Sequence, residues 1–181
     1  KTTLVSHWAH DLSRTGAALC WFSLDQGDRS PSLFLAYLIH TFQRHFPSVG
    51  IDAWRILHSA ANIEVDWPLV AGSLSGDLQR RITSTTFLVI DDLHFISDSA
   101  VIGQILGLLQ RTAPPNLHII IASRRMPTFA PLARLRTEGL LLEISQSDLT
   151  LTSDQAREVL SAQGVELSEQ ELELLLQRTD G

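Results

Sequence analysis

The 181-residue sequence contains a single cysteine, Cys20. One thiol excludes an internal disulfide framework and a thiolate zinc cluster. Lysine is equally scarce: Lys1 is the only one, and the remaining basic residues are all arginine. Glycine (10) and proline (7) are few while 44% of the residues are hydrophobic, which excludes a disordered or fibrous chain. No apolar run reaches the roughly 18–20 residues that cross a bilayer. An excess of cations is also missing. The formal net charge of −6 argues against a surface that grips a phosphate backbone. The opening Lys1-Thr2-Thr3-Leu4 has neither an initiator methionine nor a signal-peptide pattern, so Lys1 is read as an internal residue of a longer protein.

What is present is unevenly spread. Residues 151–181 hold seven acids and two bases, so nearly all of the net charge sits in the tail. The shift near residues 145–151 is a candidate boundary. Before it, strand-like and helix-like segments alternate. Residues 4–12 carry apolar side chains at helical spacing. Residues 17–24, 85–90, 117–123 and 140–144 are short apolar runs that predict buried strands. Pro31 opens a helix to about residue 46. Residues 51–81 predict two or three helices with a break at Trp67-Pro68. Ser97 or Asp98 is expected to cap the helix that follows the second strand. In the tail, Ser153 is expected to cap one helix, and Ser168 with Glu171 forms a capping box for another. Alternation with apolar strands predicts an α/β fold with a parallel sheet covered on both faces.

Three places carry chemistry. Lys1-Thr2-Thr3 matches the end of a phosphate-binding loop, in which Lys reaches the β/γ-phosphates and a Thr hydroxyl ligates Mg²⁺. The strand ending in Asp91-Asp92 offers a hard oxygen ligand for Mg²⁺ at Asp91 and a carboxylate to orient water at Asp92. Two Asp can equally close a strand-to-loop turn. The strand 117–123 delivers Ser123, Arg124 and Arg125 to the same edge, where Arg124 is the candidate γ-phosphate sensor. The alternative is that both arginines only solvate a loop.

The chain resembles the MalT-like ATP-dependent transcriptional regulators, the large LuxR-type members of the STAND class of P-loop ATPases. The resemblance rests on Trp21-Phe22-Ser23-Leu24-Asp25, on Ile90-Asp91-Asp92-Leu93-His94-Phe95-Ile96, on Pro114-Pro115-Asn116-Leu117-His118 with Ala122-Ser123-Arg124, and on Pro131-Leu132-Ala133-Arg134-Leu135-Arg136. It implies a P-loop NTPase core of the three-layer type over residues 1–147, beginning at the phosphate-loop lysine with its first strand and glycines upstream, and the start of a helical lid over residues 148–181. That first strand would lie between the strands 117–123 and 140–144, and this piece alone is expected to be inactive. The resemblance further implies a cytoplasmic switch that binds ATP or ADP with Mg²⁺ and hydrolyses ATP slowly. Lys1, Thr2 and Thr3 would hold nucleotide, Thr2 and Asp91 the metal, and Asp92 and Arg124 would act in hydrolysis. The ATP state would self-associate, with DNA bound only through a C-terminal helix-turn-helix outside this chain and no membrane involved. Two alternatives stay open: a STAND-type signalling ATPase with another output, and a degenerate P-loop fold used for protein interaction.

Other residues carry less. His7 and His10 have pair spacing for a metal but no third ligand. His94 sits beside the Asp pair and could hydrogen-bond near the site, but a structural role is expected ahead of a catalytic one. Ser123 lacks the G-x-S-x-G elbow of a nucleophile. Cys20 is expected to be inert core, and Trp8, Trp21, Trp54 and Trp67 to be packing residues rather than a stacking platform for bases.

Overall fold

Three of the apolar runs pair in the computed structural model, which describes residues 2–127 and 132–179. β1 (Ala18–Ser23), β2 (Thr86–Asp91) and β3 (Leu117–Ile121) form a parallel sheet in the order β1-β2-β3. The register sets Ser23 opposite Asp91 and Ile90 opposite Ile121. Parallel neighbours require long crossovers. Helices α2 (Pro31–Gln43), α3 (Ile51–Ser59) and α4 (Ile63–Arg81) make the first, and α5 (Ala100–Thr112) makes the second. Helix α1 (Thr2–Ser13) precedes β1.

Successive strand residues point to opposite faces. Cys20, Phe22, Leu88 and Ile90 enter one core with Phe34 and Leu38 of α2, Leu74 of α4 and Ile105 of α5. On the other face Phe87 meets the Trp8 ring of α1 edge-on, with centroids 5.3 Å apart, and Ala9 of α1 is buried. Both faces are therefore covered, as runs without alternation require. Burial also explains α2. Its aromatic and β-branched residues each cost up to about 0.7 kcal/mol of helix propensity. Phe34, Leu35, Leu38, Ile39 and Phe42 are fully buried, and each buried side chain contributes about 1.5–3 kcal/mol, so packing decides.

Four expectations need correction. Residues 140–144 form no strand: Leu140, Leu142 and Ile144 are exposed. Apolar alternation supplies a strand only where a neighbour accepts its hydrogen bonds, and none pairs there among the described residues. The break in 51–81 falls at residues 60–62, where Asn62 caps α4 by accepting the Glu64 N–H. Pro68 lies within α4. It forfeits one backbone bond near the start of the helix, while Val70, Ala71, Leu74 and Leu78 bury the turns that follow. Ser99, not Ser97 or Asp98, caps α5. Thr152, not Ser153, caps the first tail helix, paired with Gln155 in a capping box.

One glycine is obligatory. Gly50 adopts φ +74°, and a Cβ there would stand 2.8 Å from Cγ2 of Ile39. Its N–H donates to the buried Asp77 carboxylate at 3.0 Å, which also receives Arg80 at 2.8 Å. The bond ties the start of α3 to α4.

The contacts divide the chain into units of residues 1–132 and 133–181. In the second, α6 (Leu132–Thr137) and α7 (Gln146–Leu149) precede α8 (Ser153–Ala162) and α9 (Glu169–Thr179). Ala156 of α8 and Leu172 of α9 are buried. The Ser168–Glu171 box is present: Glu171 accepts the Ser168 N–H and hydroxyl, and these bonds hold its carboxyl below the usual range. Among the described residues no helix is long and apolar enough to cross a membrane.

Cys20 is 1% exposed, and burial pushes its thiol up to about 12 from an ordinary 9.0. The folded value lies above the unfolded one, so the thiol opposes folding only as the pH rises past the unfolded value. Iodoacetamide at mildly alkaline pH is expected to leave Cys20 unlabelled in the folded protein and to label it fully after denaturation in urea, read by mass spectrometry. Rapid labelling of the folded form would contradict its burial.

Candidate functional site

Ligands of parallel α/β sheets gather at the carboxyl ends of the strands. There β2 ends in two carboxylates at different depths. Asp91 is 2% exposed. Its backbone carbonyl accepts the Leu24 N–H at 3.1 Å, and its Oδ1 accepts the Asp92 N–H at 2.9 Å. Asp92 adopts φ +58°, the only positive φ of a non-glycine residue among those described. The left-handed region costs most side chains about 1–2 kcal/mol, and Asp is among the few that visit it. The Asp92 side chain is 39% exposed. One carboxylate is thus fixed in the sheet and the other opens to solvent.

Two backbone bonds fasten this turn to β3. Ala122 N–H donates to Ile90 O at 2.9 Å, and Leu93 N–H donates to Ala122 O at 3.1 Å. Beyond Ala122, the Ser123 hydroxyl donates to Arg125 O at 2.7 Å and accepts the Arg125 N–H at 3.3 Å. The resulting turn leaves Arg124 exposed, with no ion pair among the described residues. Asp91, Asp92 and Arg124 therefore share one edge of the sheet.

Helix α1 packs on this sheet. Its last turn leads to the amino end of β1, where Ala18 N–H meets Thr85 O, and Trp8 lies on Phe87 near the start of β2. Thr2 and Thr3 stand in its first turn. A helix N-terminus offers free N–H groups to anions. Lys1 lies outside the described residues.

His94 belongs to this edge as well. Its Nδ1 stands 3.6 Å from Asp92 Oδ1, just beyond hydrogen-bond reach. That nitrogen is buried without a hydrogen-bond partner among the described residues, an arrangement that costs on the order of 1–3 kcal/mol. The ring lies against Phe95 at 4.2 Å. The sequence sets His94 beside the Asp pair, where it can hydrogen-bond near the site, and a 3-10 turn (Leu93–Phe95) folds it back toward the Asp92 carboxylate.

No cluster of three or more His, Cys, Asp or Glu that could hold a metal occurs among the described residues, and His7 with His10 forms none. A Mg²⁺ that keeps its waters and phosphate ligands needs only one or two carboxylates, and Asp91, with a single side-chain hydrogen bond, fits that need.

A three-stranded parallel sheet between helices, with an acidic turn after β2 and an arginine after β3 on the same edge, is an α/β core of the P-loop NTPase type. Residues 1–124 match the family model described as nephrocystin 3, N-terminal, and the chain belongs to that family. It is homologous to MalT-type regulators and to PknK. It is 32% identical to the HTH-type transcriptional regulator MalT of Cronobacter sakazakii over 165 residues, or 87% of the chain. It is 33% identical to MalT of Serratia proteamaculans over 160 residues, again 87% of the chain. It is 30% identical to the serine/threonine-protein kinase PknK of Mycobacterium tuberculosis across the whole chain. The chain spans 16% of the length of each of these curated relatives.

The Asp92 backbone gives a stability test. Asn also tolerates positive φ, whereas a β-branched residue does not. Asp92→Asn is expected to melt close to the native protein, and Asp92→Val to lose about 1–2 kcal/mol in urea unfolding. Equal stability of the two variants would contradict the left-handed conformation.

Proposed function

We propose that the chain is the ATP-binding and hydrolysing switch domain of a signal-responsive transcriptional regulator. The carrying observation is the acidic turn of Asp91 and Asp92, bonded to β3 beside Arg124, in a chain homologous to MalT-type regulators. Lys1 binds the β/γ-phosphates, and Thr3 lies in the helix turn that receives them. Thr2 and Asp91 hold Mg²⁺, which when bound neutralises phosphate charge. Asp92, at the solvent-open end of the turn, orients the attacking water. His94 steadies the Asp92 carboxylate once the edge closes around nucleotide, since hydrogen bonds long in the free protein tighten in the complex. Arg124, exposed and without an ion pair among the described residues, reads the γ-phosphate.

On this reading residues 1–147 are the ATPase core and residues 148–181 begin a helical lid. The ATP state self-associates in the cytoplasm, and a helix-turn-helix elsewhere in the protein binds DNA. A second reading keeps the switch and changes the output. It is favoured by PknK, whose name states a kinase and which matches across the whole chain.

The test uses the full-length protein. Asp92→Asn is expected to bind Mg²⁺-ATP as the native protein does and to hydrolyse it about a hundredfold or more slowly, because a neutral amide cannot serve as the base. Lys1→Ala is expected to weaken ATP binding. Because hydrolysis resets the switch, Asp92→Asn is expected to raise reporter transcription. Unchanged turnover in Asp92→Asn, or full turnover in Lys1→Ala, would overturn the assignment.

A further inference from the structure

We propose that the free edge of β1 receives an extended peptide segment of a partner, which adds to the sheet as a strand and brings an acidic side chain to Arg44. This goes beyond the switch function and does not depend on nucleotide binding at β2 and β3.

Among the described residues β1 pairs only with β2. Ala18 and Leu24 direct their N–H groups to Thr85 and Asp91 across that ladder. Alternation therefore turns the N–H and C=O groups of Leu19, Trp21 and Ser23 outward. Natural edge strands are commonly blunted by lysine, proline or a bulge. The β1 sequence ALCWFS has no proline and no charge, and it pairs with β2 without interruption. Its outer edge is ready for pairing.

A cavity of about 610 Å³ lies along this edge. Its lining comes from both sides of the sheet plane: Trp21 and Ser23 from β1, Tyr37, His40 and Thr41 from α2, and Arg44, which caps the end of α2. A hollow lined from both faces has the position of a next strand, not of a pocket on one face. Trp21 Nε1 donates to Ser23 Oγ at 2.8 Å, which stiffens one wall. Tyr37, 47% exposed, offers the other wall an aromatic surface for an apolar side chain.

Charge selects the occupant. The acids at one end of the hollow are engaged locally: Asp25 Oδ1 accepts the Gly27 N–H at 2.6 Å, and Asp28 Oδ2 accepts the Asp25 N–H at 2.8 Å. At the other end Arg44 is exposed and has no ion pair among the described residues, whereas Arg29, Arg55, Arg80 and Arg81 each have one. At the Arg44 end the charge without an ion pair among the described residues is positive, while Asp25 and Asp28 keep the opposite end negative. Strand addition supplies affinity through the main chain and specificity through side-chain contacts of this kind.

The test is hydrogen–deuterium exchange on the full-length protein. The probe is an acetylated, amidated valine-threonine-glutamate-threonine-valine peptide at millimolar concentration. Exchange across residues 18–25 is expected to slow roughly threefold or more, as for amides drawn into a ladder. A lysine in place of the glutamate, or Arg44→Gln in the protein, is expected to remove at least half of that protection. N-methylation of alternate peptide nitrogens, which blocks pairing, is expected to abolish it. Three results would each overturn the proposal. One is no protection by the acidic peptide. The second is equal protection by the N-methylated peptide, which would mark a side-chain pocket. The third is protection that grows with protein concentration alone, which would mark a second copy of the chain as the occupant.

Discussion

The candidate site depends on how β2 is held between its neighbours. A buried strand can deliver a carboxylate to a sheet edge only if every backbone group behind it is paired. Here Leu24 bonds to Asp91 on one side, and Ala122 bonds to Ile90 and Leu93 on the other. These bonds carry the ladder past the last strand residue and into the turn. They fix Asp91 within the sheet and force the chain to reverse at Asp92, where the positive φ follows. The core beneath holds the strand in place: Leu88, Val89 and Ile90 are all but fully buried.

That reversal divides two chemically identical side chains. Asp91 is enclosed, with one oxygen bonded to the following N–H. Asp92 is part-exposed and faces an imidazole nitrogen that lacks a hydrogen-bond partner among the described residues. A buried donor or acceptor without a partner is costly and persists where something else fills its need. The loop after β3 has a comparable character: Arg124 stands exposed in a turn organised by Ser123. Charge is thus held ready on one edge instead of being cancelled within the fold.

Legibility in the sequence followed local sufficiency. β2 could be read because residues buried on both faces leave an unbroken apolar run, and the polar residues that end it mark the edge. The place of Asp91, Asp92 and Arg124 on that edge could be read for the same reason. Residues 140–144 look as apolar as β2, but a strand is a pairing and apolarity does not name a partner. Pro68 suggested a break because the rule is local, whereas the buried face of α4 is a tertiary fact. The left-handed Asp92 and the fold-back of His94 onto it arise from the bonds to Ala122, which link residues about thirty positions apart in sequence. No window along the chain contains them. Lys1 and the threonines are proposed from their order alone, and Lys1 lies outside the described residues.

The central claim is that Asp91 contributes to a Mg²⁺-nucleotide site on the carboxyl edge of this sheet. Titration calorimetry of ADP into the full-length protein, with Mg²⁺ or with excess EDTA, tests it most directly when repeated on Asp91→Asn. The account predicts tighter binding with Mg²⁺ in the native protein and loss of most of that difference in the variant, with the fold retained by circular dichroism. A folded Asp91→Asn protein that keeps the full magnesium dependence would contradict it.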